Sequence, residues 1–125
     1  MAKRVLVLDD DIAVLEAIES ALTYEDFEVT TIGRTYNIFK SIDEHKPDII
    51  LLDFILDGLT GGEICRNIKA NPDTKHLPVV IISAYQGNME SLKTYGCDHF
   101  IAKPFSLKDL IDGINKTLDK ASVKS

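Results

Sequence analysis

The chain has 125 residues, 45% hydrophobic and 27% charged, which is the length and balance of one globular domain with a single core. No window approaches the run of about eighteen apolar residues that a membrane span needs, and Asp9, Asp10 and Asp11 cut the apolar run Val5 to Leu8 too short for a secretory leader, so a cytoplasmic protein is expected. The formal net charge is −6 with no basic run or stripe, and a nucleic-acid partner is therefore not expected.

Short β-rich runs alternate with stretches at helical spacing, the pattern of βαβ units around a parallel sheet. Arg4 to Leu8 predicts the first strand, and Ile12, Leu15, Ile18 and Leu22 then share one helical face. Asp11 stands where a cap or a dipole-favoured first-turn residue belongs. Phe27 to Ile32 predicts the second strand, followed by a helical stripe of Tyr36, Phe39 and Ile42. Asp48 to Leu52 is the third strand, and Ile64 with Ile68 marks a shorter helix that stops at Asn71-Pro72. Leu77 to Ile82 is the fourth strand. Met89 to Tyr95 is the weakest helical segment, with Gly96 as its stop, and His99 to Ala102 is the fifth strand. Leu107, Leu110, Ile111, Ile114 and Leu118 form the clearest stripe, opened by Ser106 and Asp109 in the manner of a capping box. Asp119 to Ser125 reads as a frayed end. The expected organisation is one domain over 3–120, a short tail over 121–125, and no output domain.

In an open parallel sheet, ligands bind beyond the carboxyl ends of the strands, where strand order reverses. Asp9 and Asp10 follow the first strand, Asp53 the third, Ser83 the fourth, and Lys103 with Pro104 the fifth. Gathered carboxylates repel one another by roughly 1 to 4 kcal/mol per close pair, so a cation must hold them together. Mg²⁺, a hard ion that keeps several waters and takes one or two carboxylates plus phosphate oxygens, suits such a cup. An acceptor carboxylate, a metal, an ammonium and a hydroxyl are also the groups phosphoryl transfer needs. Asp53 stands alone after Ile-Ile-Leu-Leu and is the best nucleophile, whereas the adjacent Asp9 and Asp10 can share the metal.

Five segments together resemble the CheY-like receiver domains of response regulators: Val-Leu-Val-Leu-Asp-Asp-Asp, Ile-Ile-Leu-Leu-Asp-Phe, the Gly61 turn, Ile-Ile-Ser-Ala and Lys-Pro-Phe, in the family's order and spacing. The resemblance implies a doubly wound (βα)5 three-layer α/β sandwich of flavodoxin-like type, with parallel strand order 2-1-3-4-5. It implies a phosphoacceptor that takes a phosphoryl group from a sensor histidine kinase or histidine phosphotransfer protein onto Asp53. Its only chemistry would be its own phosphorylation and dephosphorylation. Asp10 and Asp53 would ligate Mg²⁺ directly, Ile55 through its backbone carbonyl and Asp9 through water, while Ser83 and Lys103 would grip the phosphoryl oxygens. Ser83 and Phe100 would form the switch, and the Lys103-Pro104 bond would be cis. A downstream protein would then read the face formed by the fourth helical segment, the fifth strand and the last helix. The chain departs from many relatives at Asp57 (proline), Thr60 (aspartate) and Gly113 (an arginine in receivers that dimerise through that face), the last at a helix-propensity cost of about 1 kcal/mol.

Two other functions compete. A haloacid-dehalogenase-type phosphatase would use Asp9 and Asp11 as its Asp-x-Asp pair, but it needs a further acidic pair downstream of the lysine and leaves Asp53 without a role. A binding module on the same fold, without phosphorylation, has no residue that recommends it. Cys65 and Cys97 read as small apolar residues, His45, His76 and His99 lack ligand spacing, and Lys116, Lys120 and Lys124 read as a solvated last-turn face and tail. Ile55 and Tyr85 occupy the positions that tune phosphate lifetime in the family, and both are bulky and unable to orient water. A long-lived phosphoryl group is expected. Tyr85→Glu should shorten its half-life several-fold in a phosphate-release assay.

Overall fold

A computed structural model describes residues 2–33, 37–54, 60–84 and 96–124. The strands are β1 (Arg4–Leu8), β2 (Glu28–Ile32), β3 (Ile49–Asp53), β4 (Val79–Ser83) and β5 (His99–Ala102). The described helices are α1 (Ile12–Tyr24), α2 (Ile38–His45), α3 (Gly61–Ala70) and α4 (Leu107–Lys124). The expected helical segment Met89 to Tyr95 lies outside the described residues, as do Tyr36, Ile55, Asp57 and Tyr85. All neighbouring strands pair in parallel, in the expected order β2-β1-β3-β4-β5.

Alternation along the strands sends successive side chains to opposite faces, and each face carries its own helices. On one face Val5, Val7, Ile49, Leu51, Val80 and Ile82 pack against Leu15 and Ile18 of α1 and Leu110 and Ile114 of α4. On the other, Leu6, Leu8, Ile50, Leu52 and Ile81 pack against Ile38 and Ile42 of α2 and Ile64 and Ile68 of α3. Because both faces are covered, β3 is buried along its whole length, which is why it reads as an unbroken apolar run. No described helix is long and apolar enough to cross a membrane.

Local chemistry fixes the helix starts. The Asp11 side chain accepts the amides of Ala13 and Val14, the Asn37 side chain those of Phe39 and Lys40, and Thr60 Oγ1 that of Glu63. Ser106 Oγ accepts the Asp109 amide at 3.0 Å. The helices differ from the sequence reading in two details. Helix α4 runs on to Lys124, because 119–124 contains no glycine or proline to stop it and is rich in residues that tolerate helix well. Ile12 and Leu107, expected on buried stripes, are 70% and 51% exposed; both are the first residues of their helices.

Helix α3 begins unusually close to the end of β3. The Gly61 amide donates to the Phe54 carbonyl at 2.8 Å, and a Cβ on Gly61 would overlap the carbonyl oxygen of Asp53 and crowd the Phe54 Cα at 3.1 Å. Only glycine fits between the two backbones. Gly61→Ala should therefore lower stability by about 1–3 kcal/mol, read as a fall in the urea midpoint with an unchanged slope.

Candidate functional site

The carboxyl ends of β1, β3, β4 and β5 converge on one rim, as the shared register dictates. β1 delivers Asp9, whose amide donates to the Ile32 carbonyl of β2, and β3 delivers Asp53 through the pairing of Asp53 with Ile82. Ser83 ends β4 opposite Ala102 of β5, and the next residue, Lys103, donates its amide to the Ser83 carbonyl at 2.7 Å. The Lys103–Pro104 peptide bond is cis.

These placements bring three carboxylates together. Oxygens of Asp9, Asp10 and Asp53 all lie within 4.8 Å of one another. Asp9 and Asp53 are buried, at 1% and 8% exposure, while Asp10 faces solvent. The Lys103 ammonium reaches across to this group, 3.2 Å from Asp9 Oδ2 and 3.4 Å from Asp53 Oδ1. The second Asp9 oxygen accepts the Asp11 amide at 2.9 Å, so the turn into α1 orients one carboxylate of the cluster. Ser83, 3% exposed, completes the buried polar set of this rim.

The charge balance is uneven. Burial, then the neighbouring Asp9, push the Asp53 carboxyl above its ordinary value, and Lys103 only partly offsets them. For Lys103, burial alone would favour the neutral amine, but the carboxylates of Asp53 and Asp9 outweigh it and hold the group cationic. Among the described residues one ammonium thus faces three carboxylates, an arrangement that takes a further cation. In an octahedral Mg²⁺ shell with ligands at about 2.1 Å, opposite oxygens stand about 4.2 Å apart. The oxygens of Asp9, Asp10 and Asp53, within 4.8 Å of one another, are hard donors of the kind that such an ion takes.

The structure therefore brings together Asp9, Asp10, Asp53 and Lys103, with Ser83 on the same rim. Phe100, on β5 opposite Ile81, is half-buried against the α2 and α3 face of the sheet. Asp11 is engaged as the α1 cap and exposed, so it presents no acid beside Asp9 as the phosphatase reading requires. The sequence offers Lys103 as a positive charge for the gathered carboxylates and for phosphoryl oxygens, but not which carboxylates it meets; no local pattern signals its contact with Asp9 across 94 residues. It also passed over Thr60 as the cap of α3, although Thr-Gly-Gly-Glu carries the capping-box spacing.

Residues 5–115 match the response regulator receiver domain family. The chain belongs to that family. Its receiver domain is 31% identical over 123 residues to the phosphate regulon transcriptional regulatory protein PhoB of Rhizobium meliloti, covering 97% of this chain and 54% of PhoB. It is 37% identical over 106 residues to the response regulator PleD of Caulobacter vibrioides, covering 83% of this chain and 23% of PleD. The chain thus spans about half the length of these relatives or less. Among solved structures, the receiver resembles a CheY-like receiver domain protein from Methanospirillum hungatei over the full length of both chains, at TM-score 0.89 and 23% identity. It also resembles NtrX from Brucella abortus at TM-score 0.87 and 31% identity, covering 99% of this chain and 29% of that one.

The like-charge cluster makes a prediction about the protein without metal. A carboxyl whose folded value is raised disfavours folding while ionised; that cost is present above its folded value and gone below the ordinary one, 3.8. Asp53→Asn should accordingly stabilise the metal-free receiver at neutral pH by on the order of 1 kcal/mol. The gap between variant and native protein should close as denaturation is repeated below about pH 4.

Proposed function

We propose that this receiver accepts a phosphoryl group on Asp53 from a phosphohistidine donor and passes the signal to a protein partner by a change of shape. The observation that carries the reading is the seating of Asp53: a buried carboxylate at the end of the central strand, braced by the Lys103 ammonium and destabilised by Asp9. Such a group gains when its charge is redistributed over a larger, better compensated anion.

In the proposed step an Asp53 carboxylate oxygen attacks the phosphorus, the bond from phosphorus to the donor nitrogen breaks, and the imidazole leaves with the electron pair. Lys103 stays within reach of the transferred group and neutralises one of its oxygens, and the Ser83 hydroxyl donates to another. Asp10 and Asp53 would hold a Mg²⁺ directly and Asp9 through water, and the ion would supply the remaining charge neutralisation. Ile55, the further ligand by its backbone carbonyl, lies outside the described residues. No general base is needed, because the nucleophile is already ionised.

Phosphorylation adds roughly −1.5 to −2 charges and three acceptor oxygens. In the proposed switch these draw the Ser83 hydroxyl inward, and the Phe100 ring moves into the space released. Phe100 starts half-buried on β5, two positions before the strand end that adjoins Ser83, and its movement would reshape the β5 and α4 face offered to a partner. The donor is a sensor histidine kinase or a histidine phosphotransfer protein. Tyr85 and Ile55 are proposed to lengthen the life of the phosphoryl group by crowding water from it.

Intact mass after incubation with acetyl phosphate tests the reading. A single phosphate should be added with Mg²⁺, lost with a chelator and absent in Asp53→Asn. Label that persists in the variant would move the acceptor to another carboxylate, Asp9 first, and no addition to the native chain would leave a binding module in its place.

A further inference from the structure

The opposite end of the sheet carries a second polar feature that the phosphoacceptor chemistry does not use. A cleft of about 780 Å³ opens between the segments that lead into β1, β3, β4 and β5 and the last turns of α4. Its size falls in the range of small-ligand sites, roughly 300–1,000 Å³. Lys3, Lys69, Lys75, His76 and Lys120 line it, in a chain whose formal net charge is −6.

The two carboxylates in the wall are already engaged. Asp48 accepts the Arg4 amide at 2.8 Å. Asp98 accepts the Val79 amide at 2.7 Å and the Lys69 ammonium at 2.8 Å. Lys69 also donates to the Leu77 carbonyl at 2.6 Å, so this ion pair braces the wall between α3 and the starts of β4 and β5. Lys3, Lys75 and Lys120 are exposed, and among the described residues none of their ammonium groups meets a carboxylate. Three unpaired cations therefore share one concavity. The acidic phosphoacceptor cluster lies at the far ends of the strands, and charges separated by more than the Debye length, about 8 Å at physiological ionic strength, are largely screened from each other. Compact ammonium groups are suited to phosphate oxygens, while Pro47, Leu77 and Leu118 offer an apolar surface beside them.

We propose that this cleft binds a small anion bearing two or more phosphate groups, held by Lys3, Lys75 and Lys120. The site is separate from Asp53 and is independent of phosphoryl transfer.

The test is a titration of the full chain followed by amide chemical shifts, with a chelator present so that no metal recruits phosphate to the acidic cluster. ATP, inorganic triphosphate and citrate are the probes. The expected result is saturable shifts at Lys3, His76, Asp98 and Lys120 with ATP and triphosphate, and binding about tenfold weaker in Lys75→Glu/Lys120→Glu. The same variant should still take up phosphate from acetyl phosphate, which shows that it is folded, and Lys40→Glu/Lys108→Glu should bind as the native chain does. Should the first double variant fold poorly, the single variants Lys3→Glu and Lys120→Glu must each weaken binding several-fold. Tighter binding of ATP than of triphosphate assigns an organic phosphate as the ligand, and equal binding assigns an inorganic one. Shifts spread evenly over Lys40, Lys46 and Lys108, equal affinity for citrate, or affinity unchanged in the cleft variants would overturn the proposal.

Discussion

The repulsion among Asp9, Asp10 and Asp53 is the constraint around which this domain is arranged. Three carboxylates within 4.8 Å of one another persist only because β1 and β3 are adjacent and hydrogen-bonded, and because Lys103 is brought in from β5 on the other side. The apolar runs beneath them supply the stabilisation that offsets this cost. Ile49, Ile50, Leu51 and Leu52 are fully buried, and each such side chain contributes about 1.5–3 kcal/mol relative to exposure. A stable sheet thus holds an unstable charge distribution at its rim. That imbalance favours a further cation at the rim.

The starts of α1 and α3 are tied to the rim. Asp11 caps α1 and also donates its amide to Asp9, so the helix start and the orientation of a site carboxylate are one arrangement. At the other side of β3, Gly61 sits against the Asp53 and Phe54 backbone, and Thr60 caps α3 immediately before it. The start of α3 is therefore fixed against the backbone of the acceptor strand itself. The cleft at the opposite end is built differently: its two lining carboxylates, Asp48 and Asp98, are engaged by backbone amides and Lys69, and among the described residues Lys3, Lys75 and Lys120 meet no carboxylate.

Much of the architecture was legible without coordinates. Strands buried on both faces read as unbroken apolar runs, and β1 and β5 match their sequence boundaries, while β2, β3 and β4 begin one or two residues late because Phe27, Asp48 and the Leu77-Pro78 pair belong to the turns that lead in. The placement of Asp9, Asp10, Asp53, Ser83 and Lys103 at one rim was legible because polar side chains directly after such runs must lie at strand ends. The exposure of Ile12 and Leu107 was not legible, since helical periodicity assigns a face but not which of its residues are covered. The extension of α4 through 119–124 was missed for a related reason: polar composition resembles a frayed end unless packing of the preceding turns holds the helix in place.

The sequence by itself determined the fold class, the strand order through its family resemblance, and the list of groups able to do phosphoryl chemistry, because periodicity and residue type are local properties. Only the tertiary structure decided how those groups share charge. The bridge from Lys103 to both Asp9 and Asp53, the burial that raises the Asp53 carboxyl, and the meeting of Lys3, Lys75 and Lys120 around one cleft all depend on distances between segments far apart in the chain. Coulomb energy and desolvation depend on those distances and on burial, and neither is written in the order of the residues.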